Sequence, residues 1–163
     1  MKFVLFTLAC FAVQFAGLSR STRAAEAPAP VKEKDQATLE KDFTALLTGA
    51  TLAGSYSSSD SPEIKKDHYE IIKIVKAKGD EWTITAKVEY KGFAVPMDMT
   101  FPVKWAGDTP VICVTNKKIP GFGTFNARVL FYDNQYVGTW SSANHGGQMW
   151  GKVERTPATQ PAK

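Results

Sequence analysis

The sequence predicts an all-β domain, an antiparallel meander of about eight short strands closed into a small barrel behind one short helix. Three observations predict it. Apolar and polar residues alternate with period two over most of the chain beyond Gly49. Turn-forming residues interrupt that alternation at short intervals, so successive strands are joined tightly. Closure into a barrel then removes the exposed edges that an open sheet would present.

The chain begins with a segment of a different kind. Lys2 is followed by a nearly continuous apolar run from Phe3 to Leu18, broken by Gln14. This is the layout of a secretory signal. The run is shorter than the roughly 20 apolar residues of a membrane span. Thr22 and Ala24 supply the small pair for a cut after Ala24, whereas a cut after Ala27 would leave Pro28 beside the scissile bond. A signal peptide over residues 1–24 is expected, with export to a periplasm or the extracellular space. Arg20 and Arg23 favour the competing reading, a retained anchor helix, because positive charge beyond the apolar run resists translocation. Thr7-Leu8-Ala9-Cys10 resembles a lipoprotein cleavage box, but a cut there would leave too little apolar sequence upstream. Residues 25–34 are rich in Ala, Pro and charge and read as a flexible tether, and residues 156–163, with Pro157 and Pro161, as a disordered tail. The barrel domain spans residues 35–155.

That domain opens with a helix over Asp35–Leu47. Leu39, Phe43, Leu46 and Leu47 share one face, Asp35 is the N-cap and Gly49 the stop. Strands are expected at Thr51–Ser58 and His68–Ala77. The cleanest alternation follows, with Trp82, Ile84, Ala86, Val88 and Tyr90 on one face. Phe93, Val95, Met97, Met99, Phe101 and Val103 alternate next, and Lys91-Gly92 joins the two runs in a hairpin. Pro96 and Pro102 cannot donate to a ladder, so this strand should be at an edge, bulged or only partly paired. Further strands are expected at Pro110–Thr115, Thr124–Tyr132, Gln135–Ser141 and Gln148–Arg155. Asp133-Asn134 makes a two-residue turn.

Charge and cysteine content narrow the function classes. The chain has 163 residues, 20 of them Lys or Arg and 16 Asp or Glu. A cut after Ala24 removes Lys2, Arg20 and Arg23 and leaves 17 basic residues against 16, a net charge of +1. Nucleic-acid binding needs a concentrated basic face, and Lys65-Lys66 and Lys117-Lys118 are isolated pairs suited to solvated loops. Cys10 leaves with the leader, so Cys113 has no disulfide partner in the mature chain. It sits in Val111-Ile112-Cys113-Val114 and reads as a small buried hydrophobe. The absence of any Asn-x-Ser/Thr sequon fits a bacterial periplasm.

No spaced catalytic or metal-binding set emerges. The two histidines, His68 and His145, form no His-x-His or His-Glu-x-x-His pattern, and no Cys-x-x-Cys exists. No metal or cofactor is expected. Gly121-Phe122-Gly123 lacks the later glycine and the helix of a phosphate loop. Asn144-His145-Gly146-Gly147 reads as a solvated loop with a glycine turn. A hydrolase centred on His145, with Ser141, Ser142 and Asn144 nearby, is the catalytic alternative, but no spacing identifies its base and orienting carboxylate. Asp98 lies opposite the apolar face of its strand and should be exposed.

The aromatic residues carry the other candidate site. Trp82, Tyr90, Met97, Phe101, Phe125, Phe131 and Trp140 share the inward parity of their strands. They either fill a plain core or line a cavity for an apolar or aromatic small molecule.

Leu52-Ala53-Gly54-Ser55-Tyr56, directly after a helix, resembles the entry of calycin-type barrels such as the lipocalins, which carry Gly-x-Trp on the first strand. Tyr56 stands in the tryptophan place here, a Gly138-Thr139-Trp140 follows late, and the usual lipocalin disulfide is impossible. Val103–Pro110, Gly123–Tyr132 and Tyr136–Trp140 are similar to stretches of small exported β-rich proteins of planctomycete-type bacteria. That likeness covers most of the mature chain and implies export and a β-rich fold, with no activity attached.

The expected function is therefore that of an exported, non-catalytic barrel that binds an apolar or aromatic small molecule. A cell-envelope structural or interaction module with a filled core is the rival from another class. The mature chain is expected to have no membrane span and no nucleic-acid partner.

Overall fold

Helix α1 (Gln36–Leu47) starts where its capping residue permits. The Asp35 carboxylate accepts a hydrogen bond from the Thr38 amide at 2.8 Å, which satisfies one of the orphan donors of the first turn. Leu39, Phe43 and Leu47 are buried, and Leu46 packs beside them. Gly49, at φ +70°, turns the chain into the first strand. In this computed structural model the described residues are 33–155, apart from 91–92 and 120–122. The side chains of 88–90 and Phe93 are not described either. The expected signal, most of the tether, the tail and the Lys91-Gly92 turn lie outside the described residues.

Eight strands follow: β1 (Ala50–Ser58), β2 (Ser61–Lys76), β3 (Glu81–Tyr90), β4 (Phe93–Ala106), β5 (Thr109–Ile119), β6 (Gly123–Tyr132), β7 (Gln135–Ser142) and β8 (His145–Arg155). Each pairs antiparallel with its neighbour in sequence, and β8 pairs with β1 to close the barrel. The expected fold is thus the observed one. Its strands are less uniform than expected. β2 runs for 16 residues and β4 for 14. Asp133 and Asn134, both at positive φ, form the turn between β6 and β7, a conformation that Asn and Asp tolerate best after glycine.

Three boundaries depart from the sequence reading. β2 begins seven residues before His68, because the charged stretch Ser61–Asp67 pairs with β1 from Ser58↔Ser61 to Gly54↔Asp67. β5 continues past Thr115 to Ile119, through a register shift between Val114 and Lys117 with Asn116 at φ 48°. β8 begins at His145, not Gln148, so His145-Gly146-Gly147 is strand and not loop. Backbone proximity explains this: a Cβ on Gly147 would stand 2.0 Å from the Ser57 carbonyl oxygen. The two glycines let neighbouring backbone approach closely, and the turn falls on Ala143-Asn144.

Proline shapes the wall. β4 pairs with β3 from Tyr90↔Phe93 to Glu81↔Pro102 and with β5 only from Val103↔Ile112 to Ala106↔Thr109. Pro96 and Pro102 both fall in the part paired to β3 alone. Over the far half of the barrel the β4–β5 ladder is therefore interrupted. Lys117 crosses this interval and donates to the Thr100 carbonyl at 3.2 Å.

The inward faces divide into two halves. Near α1, Phe43 packs edge-on against Trp82, Trp105 and Phe131 with ring centroids 5.4, 6.0 and 5.7 Å apart. Leu47, Ile74, Val103 and Tyr136 complete this solid core. Burying each large apolar side chain contributes roughly 1.5–3 kcal/mol, and the helix, too short to persist alone, is held by that docking. Cys113 lies on the opposite face of β5 from Ile112 and Val114. It is half-buried, not enclosed in the core, with its thiol 3.6 Å from the Val111 carbonyl.

Candidate functional site

The barrel half away from α1 encloses a cavity of about 570 Å³. This lies within the range of about 300–1,000 Å³ common for small-molecule sites. Its wall is mostly apolar: Met99 and Phe101 from β4, Ile112, Val114 and Ile119 from β5, Phe125, Ala127 and Val129 from β6, Trp140 from β7 and Met149 from β8. Five side chains bring polar atoms to it, namely Tyr56, Asp67, Tyr69, Asn126 and His145. A second, open groove of about 460 Å³ runs along the outer face beside Tyr132, Val137 and Trp150. The interior cavity is the stronger candidate, because convergent side chains from all eight strands line it.

The aromatic residues singled out from the sequence separate into two groups. Phe101, Phe125 and Trp140 line the cavity. Trp82 and Phe131 do not; they lie under α1, 1% and 2% exposed, in the solid half of the core. Inward parity is common to both groups, and the helix-borne Phe43 takes the space beside Trp82 and Phe131. Met97 is half-buried on the inward side of β4, beyond Met99, and is not part of the cavity wall. The Tyr90 side chain falls outside the described residues. His145, expected in a solvated loop, is half-buried in the wall, 5.4 Å from the Trp140 ring and nearly perpendicular to it. Tyr56 also packs edge-on with Trp140, at 5.9 Å. Asp98 is exposed on the outer face, where it accepts a hydrogen bond from Thr85 at 2.5 Å.

One row across four strands runs from the solid core to the cavity wall at Asp67. The registers align Tyr136 on β7 with Gly151 on β8, Gly151 with Gly54 on β1, and Gly54 with Asp67 on β2. The two central positions have no side chains, so the Tyr136 ring lies across them. A Cβ on Gly151 would stand 2.6 Å from the ring carbon Cε1, and one on Gly54 would stand 2.6 Å from the hydroxyl. The hydroxyl reaches the far end of the row and donates to Asp67 Oδ2 at 3.3 Å. Trp140 spans strands in a similar way. It pairs with Gly147 on β8, and its indole N–H donates to the Ser57 carbonyl on β1 at 3.2 Å.

Asp67 is the unusual group of the site. It is 6% exposed. Burial pushes its carboxyl above the ordinary carboxylate range, against the opposing pull of hydrogen bonds from the Tyr69 and Tyr136 hydroxyls and the His68 amide. The Tyr69 and Tyr136 phenols are pushed up in turn, first by burial and then by the negative charge of Asp67. Tyr69 keeps 38% of its surface accessible while lining the cavity, so its ring is available to a guest. Among the described residues, no lysine or arginine lines the cavity or forms an ion pair with Asp67. The sequence reading missed Asp67, Tyr56 and Tyr69 as site residues. The available signal was parity: Asp67 and Tyr69 continue the inward alternation of Ile71 towards the chain start.

The described residues contain no cluster of three or more His, Cys, Asp or Glu able to hold a metal ion. Comparison with protein-family models, curated proteins and solved structures found no match.

Proposed function

We propose that this protein is an exported, non-catalytic binding protein that takes an apolar or aromatic small molecule into the open half of its barrel. The observation that carries this reading is the cavity of about 570 Å³, walled by Met99, Phe101, Phe125, Trp140 and Met149. A thioether adapts its shape to irregular guests, and aromatic rings provide flat apolar contact. The leader-like residues 1–24 support export, and the near-neutral mature charge argues against nucleic acid as the guest.

Fluorescence with N-phenylnaphthylamine, a dye that brightens in apolar surroundings, tests the reading. Saturable enhancement is expected at one dye per barrel. Ala127→Phe, which fills the cavity from β6, should abolish it, and Trp150→Ala, on the outer face, should not. Enhancement that survives Ala127→Phe, or none in the wild-type protein, overturns the proposal. Histidine-dependent turnover of ester, peptide or glycoside substrates, lost in His145→Ala, would overturn its non-catalytic part. N-terminal sequencing of the exported protein checks the leader; a start at Met1 in a membrane fraction refutes cleavage.

A further inference from the structure

We propose that the cavity selects a cationic guest, an organic amine with an apolar or aromatic body, and that Asp67 is its counter-ion. The inference rests on the binding reading above and specifies the ligand class.

An ionised Asp offers about four lone-pair sites and no donor. The Tyr136 hydroxyl occupies one of them, at 3.3 Å on Oδ2. Tyr69 and the His68 amide are the other donors acting on the group. All of these are neutral. Removal of a carboxylate from water without a paired cation is costly, and proteins usually pair such a group or leave it exposed. Asp67 is instead held in the cavity wall without a lysine or arginine partner among the described residues. An ammonium group would supply that missing charge through charge-assisted hydrogen bonds.

The surroundings suit the same guest. Tyr56, Tyr69 and Trp140 line the cavity with Asp67. Aromatic faces attract cations, and the attraction strengthens where water is excluded. Phe101, Met99 and Met149 offer apolar contact for the rest of the molecule. The competing lysine is Lys117, whose ammonium stands 5.7 Å over the Phe101 ring. It is already committed to the Thr100 carbonyl and lies outside the cavity wall. An anionic guest drawn to Lys117 is thus the direct alternative.

Three probes with one apolar body and different heads decide between them: phenylbutylamine, phenylbutanol and phenylbutyrate. Isothermal titration calorimetry on the wild-type protein at neutral pH should show the amine bound about tenfold or more tightly than the alcohol. Phenylbutyrate should bind weakest. Asp67→Asn keeps the shape of the side chain and should erase the amine preference while leaving alcohol affinity little changed. The wild-type ranking needs no variant, so it stands even where Asp67→Asn fails to fold. Alcohol and amine bound equally, or phenylbutyrate bound best, overturns the cation assignment and leaves the binding reading intact. No binding of any of the three overturns both.

Discussion

The two halves of the barrel are built from the same strands, the same inward parity and much the same residue types, yet one is solid and the other hollow. The difference is the helix. In the solid half Phe43 and Leu47 descend from α1 and meet Trp82, Phe131 and Val103, all nearly inaccessible. In the hollow half no such plug is present among the described residues, and Phe101, Phe125 and Trp140 border open volume. The row Tyr136–Gly151–Gly54–Asp67, a tyrosine laid over two glycines, links the solid core to the cavity wall. An inward aromatic residue therefore reports a barrel interior; whether that interior is core or cavity depends on what enters from the ends.

The largest effects should come from the solid half. Trp82 is 1% exposed and stacked edge-on with Phe43, so Trp82→Ala should cost about 3–5 kcal/mol in urea denaturation. Trp140→Ala should cost clearly less, because part of its ring already faces a void and only one hydrogen bond, to Ser57, is lost with it. Dye binding should show the reverse ranking, weakened by Trp140→Ala and preserved in the folded fraction of Trp82→Ala. Equal stability losses at the two sites would dissolve the distinction between the halves.

This row offers the next test. A Cβ on Gly54 would stand 2.1 Å from the Trp150 carbonyl and 2.6 Å from the Tyr136 hydroxyl. Gly54→Ala should therefore displace both backbone and ring, at a cost of about 1–3 kcal/mol. It should also alter the tyrosine signal in near-ultraviolet circular dichroism as Tyr136 leaves its hydrogen bond with Asp67. A Gly54→Ala protein with wild-type stability and spectrum would show that Tyr136 is not held in place by this row.

Much of the solid half was legible from residues alone. Asp35 announced the helix start, and Trp82, Ile84 and Ala86 gave a strand whose alternating positions are all buried. The hollow half was harder to read, for three physical reasons. The stretch Glu63-Ile64-Lys65-Lys66-Asp67-His68 has the composition of a solvated loop, which hid a strand with one carboxylate turned inward. A bulge between Ile71 and Lys73 then reverses the parity of β2. Ile71 and Ile74 are both buried, while Ile72 and Val75 are 40% and 51% exposed. The glycines at 54, 147 and 151 matter through what crosses them, and that depends on register between strands distant in sequence. Gly146-Gly147 looked like a turn because glycine serves tight turns and close backbone approach equally well.

The smallest predicted change has the opposite sign to the others and separates function from stability. Burial raises the Asp67 carboxyl in the folded protein above its unfolded value, roughly 3.9 for an ordinary aspartate. The folded state thus holds the Asp67 proton more tightly than the unfolded chain does. The resulting stability is fully present below the unfolded pKa and is lost as pH rises through the folded value. Asn at this position has no such proton to lose and can still accept from the Tyr136 hydroxyl. In the absence of ligand, Asp67→Asn should therefore match the wild type near pH 3 and become the more stable protein as pH rises towards neutrality. Urea midpoints of the two proteins, measured across that interval, give the comparison directly. A phenylbutylamine-saturated wild type should recover the difference, because the bound ammonium stabilises the ionised carboxylate. If Asp67→Asn is instead less stable at neutral pH, the ionised carboxylate is itself a structural element of this row, and the hollow half would be held together by it as firmly as the solid half is by Phe43.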